Sequence, residues 1–302
     1  MFAVTILGNN SAIPTLDRRP TAQVVTVNDT SILIDCGEGT QMQMLKYNIR
    51  RSKIKYIFIS HLHGDHYFGL IGLLNSLSLM GRTAPLFLFA PPELEQIINI
   101  QLQVAATILN YELHFIPLVE GEEGVILQDK DLEVSYFAVQ HRIPCYGISI
   151  GLQKKKRKLL PDQAKAYEIP AAYYGALQDG EDYVKKDGTV VKNDWVTLPP
   201  AKGKRYVYCA DTIYDESLVR HLYEADMMYH ETTYLHALAQ RAADRFHSTS
   251  VQAATLAKNA KVGKLLIGHF SSKYTDLQPF LDETWPVFEN TALATEGTTF
   301  II

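Results

Sequence analysis

Four of the seven residues in Ser60-His61-Leu62-His63-Gly64-Asp65-His66 can bind a metal ion, and the segment follows directly on the apolar run Tyr56-Ile57-Phe58-Ile59. Such a run reads as a buried strand. Side chains at its end sit on a rigid element, at an edge that can open to substrate. His61 and His63 are two apart, so in extended chain they project to the same side. Gly64 permits a sharp change of direction. Asp65 and His66 then point into the same space, and Asp65 could also cap the following helix. Zinc accepts imidazole nitrogen and carboxylate oxygen, and a catalytic site keeps a position for water. Four ligands this close cannot all surround one tetrahedral ion and leave room for others, so the spacing favours two ions, a recurrent phosphoester-cleaving arrangement. Manganese accepts the same ligand types.

Such a pair needs further ligands at strand ends, and three candidates follow apolar runs. His141 follows Val134–Gln140, Asp211 follows Tyr206–Ala210, and His269 follows Leu265–Gly268. Each alone could serve a cap or turn, but their shared position raises all three together. Asp211 has the only carboxylate among them and is the natural bridge between two ions. His114, His221 and His236 match no motif and read as structural or exposed.

The remaining pattern is that of an α/β chain. Strands are expected at Phe2–Leu7, Ala22–Val27, Ser31–Ile34, Leu86–Ala90, Glu112–Ile116, Tyr146–Leu152, Tyr206–Ala210, Ala225–Tyr229, Lys264–Ile267 and Thr298–Ile302, with a hairpin over Val125–Gln140. Helices are expected from Thr40 to about Tyr47, from about Tyr67 to Met80, from Pro92, and over Glu216–Tyr223, Ser250–Lys258 and Leu277–Phe288. This order predicts two mixed sheets facing each other with helices on the outer faces. With 302 residues, 47% of them hydrophobic, there is ample material for the core.

No window reaches the roughly 18 consecutive apolar residues of a membrane span. The start, Met1 to Gly8, reads as a first strand and not as a signal peptide. The three cysteines, Cys36, Cys145 and Cys209, are odd in number and far apart. That argues for a reducing, cytoplasmic setting without disulfides. The net charge of −4 is unevenly spread: Leu152–Arg205 carries 12 Lys or Arg against 7 Asp or Glu, and the rest carries 17 against 26. This polar stretch, about Lys154 to Lys204, breaks the rhythm of strands and holds at most one or two short helices. A charge run is usually a solvated loop, but its placement in the chain shifts those odds.

His61-Leu62-His63-Gly64-Asp65-His66 resembles the HxHxDH motif of the metallo-β-lactamase superfamily. Four further segments resemble ribonuclease Z, the endonuclease family that matures transfer RNA 3′ ends. They are Asp35-Cys36-Gly37-Glu38-Gly39-Thr40-Gln41, His230-Glu231-Thr232-Thr233-Tyr234, His247-Ser248-Thr249 and Gly268-His269-Phe270-Ser271-Ser272-Lys273-Tyr274. The resemblance covers nearly the whole chain. It departs from the family's pattern at Ala171-Ala172, where a Gly-Pro pair is usual, and at Leu16 and Arg19, where the first loop often has Lys and Asn.

The resemblance implies one αβ/βα sandwich over residues 1–302, with residues 152–205 inserted as a basic arm. It implies two Zn2+ per subunit: His61, His63 and His141 on one, Asp65, His66 and His269 on the other, Asp211 shared. It implies that Asp65 serves the attacking water, and that Glu231 and His247 help protonate the leaving oxygen. On the residues alone, Glu231 could instead cap a helix and His247 pack at the start of one. The expected activity is removal of the 3′ trailer from tRNA precursors, leaving a 3′-hydroxyl on the tRNA and a 5′-phosphate on the trailer. The expected partners are the precursors and a second copy in a homodimer, with no organic cofactor and no membrane. Lys154, Lys155, Lys156, Arg157, Lys158, Lys202, Lys204 and Arg205 suit phosphate contacts that position RNA without reading sequence. The rival expectation is a superfamily hydrolase of a small phosphodiester or ester.

Overall fold

Strand placement follows the apolar runs. The computed structural model describes residues 1–152, 156–200 and 202–302, so the candidates Lys154 and Lys155 lie outside the described residues. The first strands are β1 (Phe2–Gly8), β2 (Ala22–Val27), β3 (Thr30–Ile34), β4 (Ile54–Phe58), β5 (Leu86–Ala90), β6 (Leu113–Pro117), β7 (Gly124–Asp129), β8 (Leu132–Val139) and β9 (Cys145–Leu152). The insertion adds the two-residue strands β10 (Lys158–Leu159), β11 (Tyr183–Val184), β12 (Val190–Val191) and β13 (Thr197–Leu198). The chain resumes with β14 (Lys204–Tyr208), β15 (Met227–Glu231), β16 (Leu265–Gly268), β17 (Thr291–Leu293) and β18 (Thr299–Ile301). One seven-stranded sheet has the order β18-β1-β2-β3-β4-β5-β6, the other β17-β16-β15-β14-β9-β8-β7. Both mix parallel and antiparallel pairs.

The alternation of side chains explains the layers. In the first sheet Val4, Ile6, Val25, Val27, Ile32, Ile34, Tyr56 and Phe58 join one apolar core with Val134, Tyr136, Ile148, Ile150, Tyr206 and Tyr208 of the second. The intervening Leu7, Val24, Leu33 and Ile57 face the other way, onto Met44, Leu70, Leu73, Leu74, Leu94 and Ile98. Those residues belong to the helices Thr40–Lys46, Leu70–Leu79 and Glu93–Val104. The helices Ser250–Asn259 and Gln278–Thr284 cover the second sheet. This is the expected αβ/βα sandwich: strands buried on both sides need cover on both sides. Phe58 and Phe89, both buried, stack at 4.3 Å between the sheets. Truncating Phe58 to Ala would cost about 3–5 kcal/mol. Among the described residues no helix is long and apolar enough to cross a membrane.

Several boundaries differ from expectation for local reasons. The helix expected from about Tyr67 to Met80 is two, Gly64–Tyr67 and Leu70–Leu79. Gly69 lies between them, where a Cβ would stand 2.2 Å from the Gly37 carbonyl oxygen, and a Cβ on Gly37 would stand 2.4 Å from that of Asp65. The Cys36 N–H donates to the His66 carbonyl at 2.7 Å, and the Gly69 N–H to the Cys36 carbonyl at 2.9 Å. The Asp35–Thr40 turn is thereby clamped against the His61–His66 turn. Asp65 caps no helix; its Oδ2 accepts from the Ala12 N–H at 2.7 Å instead. β15 extends to Glu231, so that residue ends a strand and does not cap a helix. The helix expected over Leu277–Phe288 spans only Gln278–Thr284, and β17 and the helix Ala239–Asp244 were not anticipated.

The insertion is more ordered than its composition suggests. It holds the helices Pro161–Ala166, Tyr174–Gln178 and Asn193–Val196, plus the ribbons β10-β13 and β11-β12. Ala164, Ile169, Leu177, Val191 and Val196 form a small core of its own. It leaves β9 and returns to β14 where Leu152 pairs with Lys204. The other ends of those strands, Cys145 and Tyr208, lie beside His141 and Asp211 in sequence. The arm therefore departs from the end of the sheet opposite the candidate site.

Candidate metal centre

All seven candidate ligands converge at one edge of the sandwich. One group brings together His61, His63, His141 and Asp211, a second Asp65, His66 and His269, and a third Asp211, His247 and His269, each with ligand atoms within 4.8 Å of one another. His61 to His66 follow β4, while His141, Asp211 and His269 follow β8, β14 and β16. Four backbone positions around the centre lie in the left-handed region: Asp35 (φ 56°), Ala210 (48°), Phe246 (57°) and His269 (59°). Non-glycine residues there are strained, and such strain collects at functional sites. Here it turns each chain sharply at a strand end or ahead of His247.

Hydrogen bonds fix which ring nitrogen faces inward. The His141 Nδ1–H donates to the Phe246 carbonyl at 2.9 Å, and the His66 Nδ1–H to Asp35 Oδ2 at 2.7 Å. Thr233 Oγ1 donates its one proton to Glu231 Oε2 at 2.8 Å and so accepts from His269 Nδ1 at 2.9 Å. Ser60 Oγ donates to Asp35 Oδ2 at 2.9 Å and accepts from His61 Nδ1 at 3.0 Å. Four imidazoles are left with Nε2 free for the centre, the arrangement of metal ligands oriented by a carboxylate, a carbonyl or a hydroxyl.

The donor set fits divalent cations. His66 Nε2 is buried without a hydrogen-bond partner. His63 Nδ1 lies 3.1 Å from both His61 Nε2 and His141 Nε2, three nitrogens that a single shared proton cannot satisfy. Asp211 Oδ2 stands 3.3 Å from His269 Nε2 and 3.5 Å from His66 Nε2. Zn–N bonds of about 2.0–2.1 Å in a tetrahedron put neighbouring nitrogens about 3.3–3.4 Å apart. Burial keeps His61 and His141 below the usual histidine range and His63 down at about 4, so their lone pairs are available. Burial opposes ionisation of Asp65 and Asp211, yet the facing histidines, His66 and His269, hold both carboxyls below their ordinary range. Burial likewise disfavours charge on His66, but Asp211, Asp65 and Asp35 outweigh it and raise its pKa. A proton there occupies a place built for a cation.

Glu231 and His247 meet beside the ligands. Glu231 is fully buried, and its Oε1 accepts from His247 Nδ1 at 2.8 Å and from the Ser248 N–H at 3.0 Å. Its Oε2 accepts from the Thr233 N–H at 2.9 Å. Thr249 caps the helix Ser250–Asn259 through a reciprocal bond with Gln252. That cap sets the chain direction which presents His247. Burial would lower the His247 pKa, but the Glu231 carboxylate, aided by Asp211 and Asp65, raises it to about 9. His247 lines a cleft of about 450 Å³ with His63, Asp65, Asp211, His269, Phe68 and Arg142.

The sequence reading missed Asp35, Ser60, Thr233 and the Phe246 carbonyl as orienting groups, and Phe68 and Arg142 as cleft residues. Asp35 follows the apolar strand β3 just as the ligands follow theirs, a signal that could have found it. His114, His221 and His236 stay outside the centre; the first two stack on Phe87 and Phe137. The described basic candidates do not line the cleft. Lys156 pairs with Asp179 at 3.5 Å, Lys202 with Glu224 at 3.3 Å and Lys204 with Asp226 at 2.9 Å. Arg157 bonds Asp194 and Thr197. Arg205 donates to the carbonyls of His221 and Tyr223, and Lys158 is exposed on β10.

Residues 2–165, a little over half of the chain, match the family described as anti-Pycsar protein Apyc1, and the N-terminal part belongs there too. The ribonuclease Z of Phocaeicola vulgatus is 39% identical over 295 residues, covering 98% of this chain and 96% of that protein. Among solved structures, the short form of human tRNase Z matches with a TM-score of 0.71 at 25% identity, over 99% of each chain. The metallo-beta-lactamase fold protein YhfI of Bacillus subtilis matches with a TM-score of 0.69 at 18% identity, over 99% of this chain and 98% of its own. The chain belongs to the ribonuclease Z family and is built on the metallo-β-lactamase fold.

Proposed function

We propose that this chain is a metal-dependent endoribonuclease that removes the 3′ trailer from tRNA precursors. The observation that carries the reading is the junction, in one cleft, of a seven-residue His/Asp cluster with a buried Glu231–His247 pair. The names of the relatives, ribonuclease Z and tRNase Z, support the substrate. His61, His63, His141 and Asp211 would hold one divalent cation, and Asp65, His66, His269 and Asp211 a second. Zinc suits this set best, with manganese compatible. Bound there, such cations supply Lewis acidity, which brings the pKa of water near 7 and offsets charge on the phosphoryl group.

The chain's own residues do the rest. Asp65, steadied by the Ala12 N–H, orients the attacking water through its carboxylate. His247 enters protonated, gives Nδ1–H to Glu231, and has its Nε2 proton for the departing 3′-oxygen. In-line displacement then leaves a 3′-hydroxyl on the tRNA and a 5′-phosphate on the trailer. Glu231 remains anionic throughout and favours recharging of His247. The basic insertion, residues 152–205, would grip the tRNA body away from the cut. Because it departs from the far end of the sheet, it is better placed to serve the cleft of a second copy, which supports a homodimer. All three cysteines are free and buried, which fits a reducing cytoplasmic setting.

A second reading, hydrolysis of a small phosphodiester, keeps the His/Asp cluster and leaves the insertion without a role; residues 2–165 also match a family other than ribonuclease Z. That match includes His61 to His66 and His141. It ends within the insertion, before Asp211, Glu231, His247 and His269. Zinc-loaded protein offered a trailer-bearing precursor and bis-p-nitrophenyl phosphate in parallel separates the two. The proposal expects a far higher kcat/KM on the RNA; comparable or exclusive turnover of the small ester would favour the second reading.

A further inference from the structure

The two halves of the centre come from different sheets, and no covalent link fixes their spacing. Asp35, fully buried after β3, stands between them. Its Oδ2 accepts from His66 Nδ1 at 2.7 Å, from Ser60 Oγ at 2.9 Å and from the Tyr208 hydroxyl at 2.6 Å, and its Oδ1 accepts from the Ser60 N–H at 2.8 Å. Through Ser60 Oγ the same carboxylate also fixes His61, 3.0 Å away. One buried anion thus orients a ligand from each proposed ion site. Among the described residues, Tyr208 is its one side-chain partner from the second sheet. Tyr208 ends β14, three positions before Asp211, and its ring is held against Tyr229 at 5.1 Å.

We propose that Tyr208 is a positioning residue for the metal centre: its phenol ties the strand that carries Asp211 to the carboxylate that orients His61 and His66. The inference rests on the two-cation reading above. Groups behind the ligands matter because they fix ring orientation and ligand basicity, and losing one typically weakens metal binding about 10–100-fold. A charge-assisted bond to a buried carboxylate is among the stronger such ties. Burial keeps the phenol protonated, so it has its proton to donate to the Asp35 carboxylate.

The same strand supplies a matched control. Tyr206 is equally buried on β14, and its hydroxyl donates across the sheets to Gln23; among the described residues neither of the two hydrogen-bonds a candidate ligand. Tyr208→Phe and Tyr206→Phe should be stripped of metal and titrated with zinc against a chelating indicator, and their Tm measured stripped and loaded. Both stripped variants are expected to melt below the wild type by similar amounts. Only Tyr208→Phe should bind zinc roughly tenfold more weakly, with a smaller rise in Tm on loading. Asp35→Asn should weaken zinc as well, and adding Tyr208→Phe to it should weaken zinc little further. Wild-type affinity in Tyr208→Phe, equal weakening in Tyr206→Phe, or fully additive losses with Asp35→Asn would each overturn the proposal. Failure of the wild type itself to take up zinc would overturn the two-cation reading, and the inference with it.

Discussion

Burial alone would leave His247 neutral and useless as an acid at neutral pH. Glu231 reverses that: burial opposes its ionisation, but the facing His247 holds its carboxyl below the ordinary range, and it lies 2.8 Å from Nδ1 while accepting from the Ser248 and Thr233 N–H groups. Two outcomes follow at this scale. His247→Ala should lose about 10²–10⁴-fold in kcat/KM on precursor RNA, but far less on a nitrophenyl phosphodiester, whose leaving group departs without a proton. Equal losses on both would show that His247 serves some step other than protonation. The second outcome concerns pH. The acid must be protonated, so activity falls as pH rises through its pKa, and Glu231 is what raises that pKa. Glu231→Gln should therefore move the alkaline limb of the kcat/KM profile to lower pH; an unmoved limb would assign it to another group.

On the proposed reading, the insertion is the element that would separate a tRNA enzyme from a generic phosphodiesterase. Its own small core makes it a discrete unit, and its root is narrow: the Leu160 N–H donates to the Val196 carbonyl at 2.8 Å. A short Gly-Ser linker joining Leu160 to Val196 should leave both sheets intact. The shortened chain is expected to lose cleavage of precursor tRNA while keeping turnover of bis-p-nitrophenyl phosphate and zinc uptake. Precursor binding by the full chain should fall steeply with salt, and the slope should flatten when Lys154, Lys155, Lys156, Arg157 and Lys158 are replaced together by alanine. Arg205 is expected to add little to that slope, since its guanidinium is committed to the carbonyls of His221 and Tyr223. Retained tRNA cleavage without the insertion would contradict its assigned role.

Across the whole molecule, legibility tracked periodicity. Strands such as β2 and β5 were readable because apolar residues run unbroken where both faces are covered. The candidate ligands that gather at one edge were readable because their segments follow such strands. What stayed hidden is set by contacts between distant segments. The break at Phe68–Gly69 depends on Gly37, and the orienting role of Asp35 depends on Tyr208, far along the chain. Strands of two residues, as in the insertion, have no period to detect. Glu231 and His247 were ranked by resemblance alone, since a carboxylate at a strand end and a histidine before a helix have commoner structural uses. The central claim, that this cleft cuts RNA at a tRNA 3′ boundary with His247 protonating the 3′-oxygen, is tested most directly by mapping product ends. Zinc-loaded protein incubated with a precursor bearing a 3′ trailer should give a tRNA body ending in a 3′-hydroxyl at the trailer junction and a trailer beginning with a 5′-phosphate. A 3′-phosphate or cyclic phosphate on the body, cuts scattered through the RNA, or no cleavage by metal-replete protein would contradict it.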